Sequence, residues 1–188
     1  MEKPILKGER VRLRPLVAAD AAVMWAHIDN PVVNRLTGTQ GRFTLAQVEA
    51  YCAGLAEADD RADYGIEIEG AEAYIGEAVL NEIDRVNRVA NYRIAIYEER
   101  FFGQGYGTEA TRLMLQYAFE FLNLHRVELE VYAFNARAAH VYEKVGFRRE
   151  GVRREVLLWD GEYYDAIVMG LLKREWQVLS GDNRADGI

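Results

Sequence analysis

The sequence predicts a domain of the α/β or α+β class with a central mixed sheet, and three patterns carry that prediction. Apolar and polar residues alternate over several short segments, as in strands buried on one face. Between them, apolar residues recur at helical spacing, most clearly over residues 107–122. Nothing divides the 188 residues: there is no repeat, low-complexity tract or linker, and half of the residues are hydrophobic. That length supplies the core of one packed domain and is short for two. The domain is assigned to residues 1–176, and a polar, frayed tail to residues 177–188.

In chain order, residues 11–16 set Val11, Leu13 and Pro15 against Arg12 and Arg14, the pattern of an edge strand that tolerates proline. Residues 20–27 read as a short helix stopped before Asn30-Pro31, and residues 30–43, with their Gly, Pro, Asn and Thr, as a loop. Thr44-Leu45-Ala46-Gln47 is a capping-box pattern that opens a helix to about residue 58. Strands follow at 64–68 and 74–83, with Glu69-Gly70 as their turn, and at 89–97. Over 107–122, Ala110, Leu113, Met114, Tyr117, Ala118 and Phe121 form one apolar stripe. Val127, Leu129 and Val131 alternate with Glu128, Glu130 and Tyr132 in another strand, and residues 136–145 form a helix closed by Gly146. Asp160-Gly161 marks the turn of a final hairpin.

Composition narrows the functional classes. A formal charge of −7 argues against nonspecific nucleic-acid binding, which needs lysine and arginine to neutralise phosphates. It is compatible with a cationic substrate. Cys52 is the only cysteine, so no intramolecular disulfide and no thiolate metal cluster can form. His27, His125 and His140 lack metal-ligand spacing and read as surface or loop residues. No apolar run approaches membrane-spanning length, and the first residues lack a signal-peptide core. The expected setting is reducing and cytoplasmic, with no membrane partner.

The segment Arg100-Phe101-Phe102-Gly103-Gln104-Gly105-Tyr106-Gly107-Thr108 holds the densest chemical information. Three alternating glycines stand where a strand passes into a helix. Without Cβ atoms, backbone N–H groups converge there, and the helix N-terminus adds the positive end of its dipole. Such a turn suits a pyrophosphate, although an isolated Gly-x-Gly-x-Gly run is equally well a tight turn. It is not a P-loop, because no Lys-Ser/Thr follows, and its spacing fails the dinucleotide fingerprint.

A second block follows, Asn135-Ala136-Arg137-Ala138-Ala139-His140-Val141-Tyr142-Glu143-Lys144-Val145-Gly146-Phe147, in which Asn135 is equally well a plain helix cap and Tyr142 equally well a core residue. Together the two blocks resemble the GNAT superfamily of N-acetyltransferases, and within it the ribosomal-protein N-acetyltransferase branch. The resemblance is most specific over residues 89–147. It implies a mostly antiparallel twisted sheet flanked by helices, acetyl-CoA as cofactor, and transfer to a primary amine, either a protein N-terminal α-amine or that of a small molecule such as a polyamine or antibiotic. A coenzyme-A-binding module without turnover is the alternative outside enzymes. A homodimer is compatible with the sequence.

By the same resemblance, Gln104, Gly105, Tyr106, Gly107 and Thr108 donate hydrogen bonds to the coenzyme A pyrophosphate. Gly103 belongs to the same turn, and Phe102 stands where the family more often has Gln or Arg. The backbone of Ile94, Ala95 and Ile96 pairs with the pantetheine arm, and N–H groups near Ile96 steady the oxyanion. Asn135 caps a helix and reaches the cofactor. Tyr142 protonates the departing thiolate. Glu130, twelve residues earlier, is the favoured base, with Glu77 and Glu82 as rivals. Deprotonating an α-amine at pH 7 costs about 1.4 kcal/mol and a lysine ε-amine about 4.6 kcal/mol, which tilts the acceptor toward amines of lower pKa. Trp25, Asp29, Asn30, Trp159, Tyr163 and Tyr164 are candidates for the acceptor wall.

Overall fold

The computed structural model describes residues 1–71 and 73–185. Its strands are β1 (Leu6–Lys7), β2 (Val11–Pro15), β3 (Ala62–Ile68), β4 (Ala73–Asp84), β5 (Val89–Ile96), β6 (Arg126–Tyr132), β7 (Arg148–Trp159) and β8 (Glu162–Leu172). They form one sheet in the order β1-β2-β3-β4-β5-β6-β8-β7. All neighbours run antiparallel except β5 and β6. The mixed, mostly antiparallel sheet expected from the sequence is therefore present. Its helices are α1 (Ala21–His27), α2 (Pro31–Thr37), α3 (Leu45–Gly54), α4 (Tyr106–Gln116), α5 (Ala136–Lys144) and α6 (Lys173–Ala185).

The β5/β6 pairing positions the site. It lasts three residues, Val89–Asn91 against Arg126–Glu128, and then stops. From Tyr92 onward β5 keeps β4 on one side and loses β6 on the other, while β6 continues on β8. The two strands diverge into a wedge. Gly76 on β4 is fixed by the close approach of β5, since a Cβ there would lie 2.1 Å from the Ala95 carbonyl oxygen. Core side chains from both halves, including Tyr64, Leu80, Tyr92, Met114, Leu129 and Met169, are fully buried around α4.

Several elements depart from the sequence reading for identifiable reasons. The strand at residues 11–16 is not an edge, because Leu6 and Lys7 pair with Leu13 and Arg12 outside it. The loop assigned to residues 30–43 contains α2. Asn30 caps it by accepting from Val32 and Val33 N–H, Pro31 occupies its first turn, and Gly38 ends it at φ 70°. Those are the helix start and stop signals in their usual order, in a segment too short to show periodicity. The helix at 107–122 ends as α4 at Gln116 and passes into one π turn, Tyr117–Phe121. The wider turn rotates the stripe, so Phe119 enters the core and Phe121 stays 49% exposed. Thr44 and Gln47 form the expected capping box, but α3 stops at Gly54. The backbone after residue 177 continues as α6 to Ala185 rather than as a frayed tail.

Asn30 does more than cap. Its Nδ2 donates to the Tyr97 carbonyl at 3.0 Å, tying α2 to the end of β5. Asn30→Ala is expected to cost about 1 kcal/mol, seen as a lower urea midpoint with an unchanged m-value.

Candidate functional site

The glycine turn is built as its sequence indicates. Gly103 and Gly105 adopt φ of 71° and 88°, and Gly105 is the N-cap of α4. Because glycine has no side chain to cap the helix, the N–H groups of Tyr106, Gly107 and Thr108 keep no acceptor. Those of Gly103, Gln104 and Gly105 likewise donate to no described residue. Six consecutive N–H groups at the positive end of α4 thus have no acceptor among the described residues.

The turn is held from two sides. Arg10 Nη1 donates to the Gln104 carbonyl at 2.6 Å, and its guanidinium lies 4.6 Å from the Tyr106 ring centroid. Phe102 packs its ring under the Arg137 guanidinium of α5 at 3.9 Å. The aromatic residue at this position therefore joins the turn to the second block. A cleft beside the turn is lined by Gly8, Glu9, Arg10, Gly105, Thr108, Glu109, Arg112 and Lys144. Glu109 is engaged by the backbone N–H groups of Arg10 and Val11, and the three cations of the lining are compatible with a phosphate group.

Gly107 faces β5, where a Cβ would meet Ile94 and Ile96 only at 3.9 Å. Its carbonyl accepts from Thr111 Oγ1 at 2.7 Å, and the same hydroxyl lies 3.0 Å from Tyr92 Oη. The Tyr92 ring in turn meets Tyr142 edge to face at 6.4 Å. A buried chain of contacts therefore links the turn to Tyr142 across the wedge. Ile94 and Ile96 present their backbone to the β5 edge that β6 has left, whereas the Ala95 carbonyl is turned toward Gly76 of β4.

Tyr142 is 7% exposed and also packs on Phe147 at 5.9 Å. Its hydroxyl bonds to no described residue. Burial alone raises its pKa, so the phenol is protonated at neutral pH. Asn135 caps α5 through a 3.2 Å bond to Ala138 N–H, and its Nδ2 reaches the Leu36 carbonyl of α2 at 3.4 Å.

The three carboxylates differ sharply. Glu130 is exposed, and its Oε1 accepts from Arg153 Nη1 at 2.6 Å. Glu82 is exposed at a break in the β4/β5 register, with φ 54°. Glu77 is the buried one: its side chain is 14% exposed, and Oε2 has no hydrogen-bond partner. Its other oxygen lies 3.6 Å from Arg93. Desolvation raises its pKa, with Arg93 opposing and Asp63 adding to the rise. Glu77 pairs with Ala95, one strand in from the wedge. Tyr97, stacked on His27 at 5.1 Å and 3.2 Å from the Tyr74 hydroxyl, closes the same region under α1. His27 thus belongs to a helix and a ring stack rather than to a loop.

The candidate acceptor-wall residues have different surroundings. Trp25 is 43% exposed with Nε1 on the Phe43 carbonyl, whereas Asn30 is spent on capping α2 and holding Tyr97. Tyr164 packs edge to face on Phe134, and Tyr163 is 62% exposed. The Asp160-Gly161 turn joins Trp159 to Glu162 with both φ values positive, as expected. Glu77 interrupts the otherwise apolar run of residues 74–80, with the fully buried Ile75 and Val79 on its own face of the strand, so its burial was in part legible in the strand pattern. Among the described residues no group of three or more His, Cys, Asp or Glu side chains is placed to hold a metal, and no helix is long and apolar enough to cross a membrane.

Gly105→Ala, which forces an L residue to φ 88° in the turn, is expected to raise the KM for an acyl-CoA donor while leaving kcat nearly intact. Steady-state kinetics against donor concentration checks it.

Comparison with known proteins agrees with this geometry. The sequence matches the acetyltransferase (GNAT) domain model over residues 10–148. It is 30% identical over 167 residues to the spermidine N(1)-acetyltransferase of Escherichia coli (strain K12), covering 88% of each chain. It is 25% identical over 174 residues to the prophage-derived N-acetyltransferase YokL of Bacillus subtilis (strain 168), covering 93% of this chain and 96% of that one. The spermidine N-acetyltransferase of Vibrio cholerae, solved in complex with CoA and spermine, superposes with a TM-score of 0.84 at 25% identity. That match covers 90% of this chain and 99% of the other.

Proposed function

We propose that this chain, which belongs to the GNAT acetyltransferases, acetylates a primary amine of a linear polyamine. That it is an acetyl-CoA-dependent N-acetyltransferase follows from the family and its CoA-bound structural neighbour. The polyamine acceptor is supported by two spermidine acetyltransferases that match nearly the whole chain. An acidic protein suits such a cation.

The observation that carries the reading is the wedge between β5 and β6, with donors of the glycine turn at one end and a protonated Tyr142 beside it. Acetyl-CoA supplies an activated thioester there. The N–H groups of residues 103–108 hold its phosphates, and the unpaired edge of β5 at Ile94 and Ile96 aligns its arm. A backbone N–H near Ile96 faces the developing oxyanion. The amine attacks directly, with no covalent enzyme intermediate, and Tyr142 Oη gives its proton to the leaving sulfur. Glu77 is the base this geometry favours, because a buried carboxylate with a raised pKa and an unpartnered oxygen can accept a proton near neutral pH. Glu130 is engaged by Arg153, and its place is to steady the rim. Asn135 holds α5, and through it Tyr142, against α2.

Thiol release from acetyl-CoA should be measured with spermidine, spermine, aminoglycosides and peptides carrying free N-termini. Preferred turnover of the polyamines is expected. Preference for an N-terminal peptide replaces the acceptor assignment with the ribosomal-protein type, and binding of coenzyme A without turnover on any amine replaces the enzyme reading of the site.

A further inference from the structure

We propose that the aromatic corner formed by Phe134 and Tyr164 is the subsite for a second positive charge on the acceptor, occupied in the free protein by the guanidinium of Arg35. The inference rests on the amine-acceptor reading above and names a site for the part of the acceptor that does not react.

Phe134 stands two residues beyond the end of β6, the strand that has parted from β5. Its ring meets Tyr164 of β8 edge to face, 5.0 Å between centroids, and Tyr132 stacks on it at 5.6 Å. Arg35, projecting from α2, places its guanidinium 4.9 Å from the Phe134 centroid and 5.8 Å from that of Tyr164. An aromatic face attracts a cation through its quadrupole, so the corner is a cation site with a cation already in it. Behind it, Tyr164 Oη donates to Glu162 Oε2 at 2.7 Å, adding a carboxylate to the same corner.

Arg35 is placed so that it can leave. It is exposed, it forms no ion pair with a carboxylate among the described residues, and its one hydrogen bond is a long 3.5 Å contact to Tyr164 Oη. The helix that carries it is secured elsewhere. Asn30 ties its start to Tyr97, Asn135 reaches its last turn, and Gly38 packs so closely on Tyr132 that a Cβ would lie 2.3 Å from the hydroxyl. Swinging Arg35 into solvent therefore leaves α2 in place and frees the aromatic faces. A linear diamine or triamine threaded toward the wedge brings a second ammonium to this mouth, where it replaces one cation by another. A monoamine has no group to make the exchange.

Calorimetric titration of the CoA-saturated protein with spermidine and with n-butylamine tests this without requiring turnover. The readout is the ratio of the two affinities. Arg35→Gln removes the internal competitor and is expected to raise the preference for spermidine by about threefold to thirtyfold, the range of a cation–π contact. Arg35→Lys keeps a cation and should hold the ratio near that of the unmodified protein. Phe134→Leu is expected to lower it. Because Arg35 is exposed, its variants decide the matter even if Phe134→Leu fails to fold. A ratio unchanged or reduced in Arg35→Gln overturns the subsite. If spermidine binds with the same ratio in every variant, the subsite falls while the amine reading stands. If spermidine binds to none of them, the subsite also falls, and the acceptor panel decides the amine reading separately.

Discussion

Tyr142→Phe is expected to lower kcat by on the order of 100-fold with little change in stability. The substitution deletes one oxygen. The ring keeps its edge-to-face contacts with Tyr92 and Phe147, and the lost hydroxyl bonds to no described residue. Removing such a hydroxyl leaves no partner stranded, so unfolding midpoints should stay level or rise slightly. What is lost is a proton donor that burial keeps protonated at neutral pH. The measurement is kcat at saturating donor and acceptor beside a urea unfolding curve. A kcat within a few-fold of the unmodified enzyme removes Tyr142 from the proton path. A large fall in stability makes it a core residue first.

The second large effect is expected at Glu77. Glu77→Gln should reduce kcat by on the order of 100-fold at neutral pH and abolish the acidic limb of the kcat profile. The pH dependence follows from the direction of the shift. Burial raises the pKa of Glu77 in the folded state above that of the unfolded chain. Its contribution to stability is then fully present below the unfolded value and lost as pH rises through the folded one. Glutamine resembles the neutral acid at every pH. The variant should therefore become progressively more stable than the unmodified protein as pH rises through that folded pKa, while remaining slow. A gain in stability joined to a loss of activity is what an ionised, poorly partnered catalytic carboxylate predicts, whereas a structural carboxylate would show a loss of both. Glu130→Gln is the comparison. Glu130 is exposed and paired with Arg153, so its removal should change kcat far less and stability by no more than a surface ion pair contributes. The opposite ranking of the two variants would return the base to Glu130.

Much of the local structure around the candidate site was legible in the sequence. The Asp160-Gly161 turn and the Thr44 capping box depend on contacts within a few residues, the alternation of Val127, Leu129 and Val131 shows a one-sided burial directly, and each formed where expected. The glycine turn was legible for the same reason: positive φ at Gly103 and Gly105 and an uncapped start to α4 are local properties of the chain. Elements were missed where a neighbour decides the outcome. Two residues of β1 become a strand only because β2 lies beside them, and the π turn shows itself only as a rotated stripe that puts Phe119 inside and Phe121 outside. For α2 the signals were present in Asn30, Pro31 and Gly38, but seven residues are too few for a period to emerge.

What the sequence by itself determined is the class of fold, the family, the glycine turn at the start of α4 and the place of Tyr142 in the second block. What only the tertiary structure decided is where β5 and β6 part, which of three glutamates is buried, and that Arg35, Phe134 and Tyr164 meet. The physical reason is range. Backbone conformation and helix capping are set by neighbours along the chain, whereas desolvation is set by whatever packs above a residue. Glu130 alternates with Leu129 and Val131 whereas Glu77 interrupts an apolar run, and packing leaves one Glu77 oxygen buried without a partner while the exposed Glu130 meets Arg153.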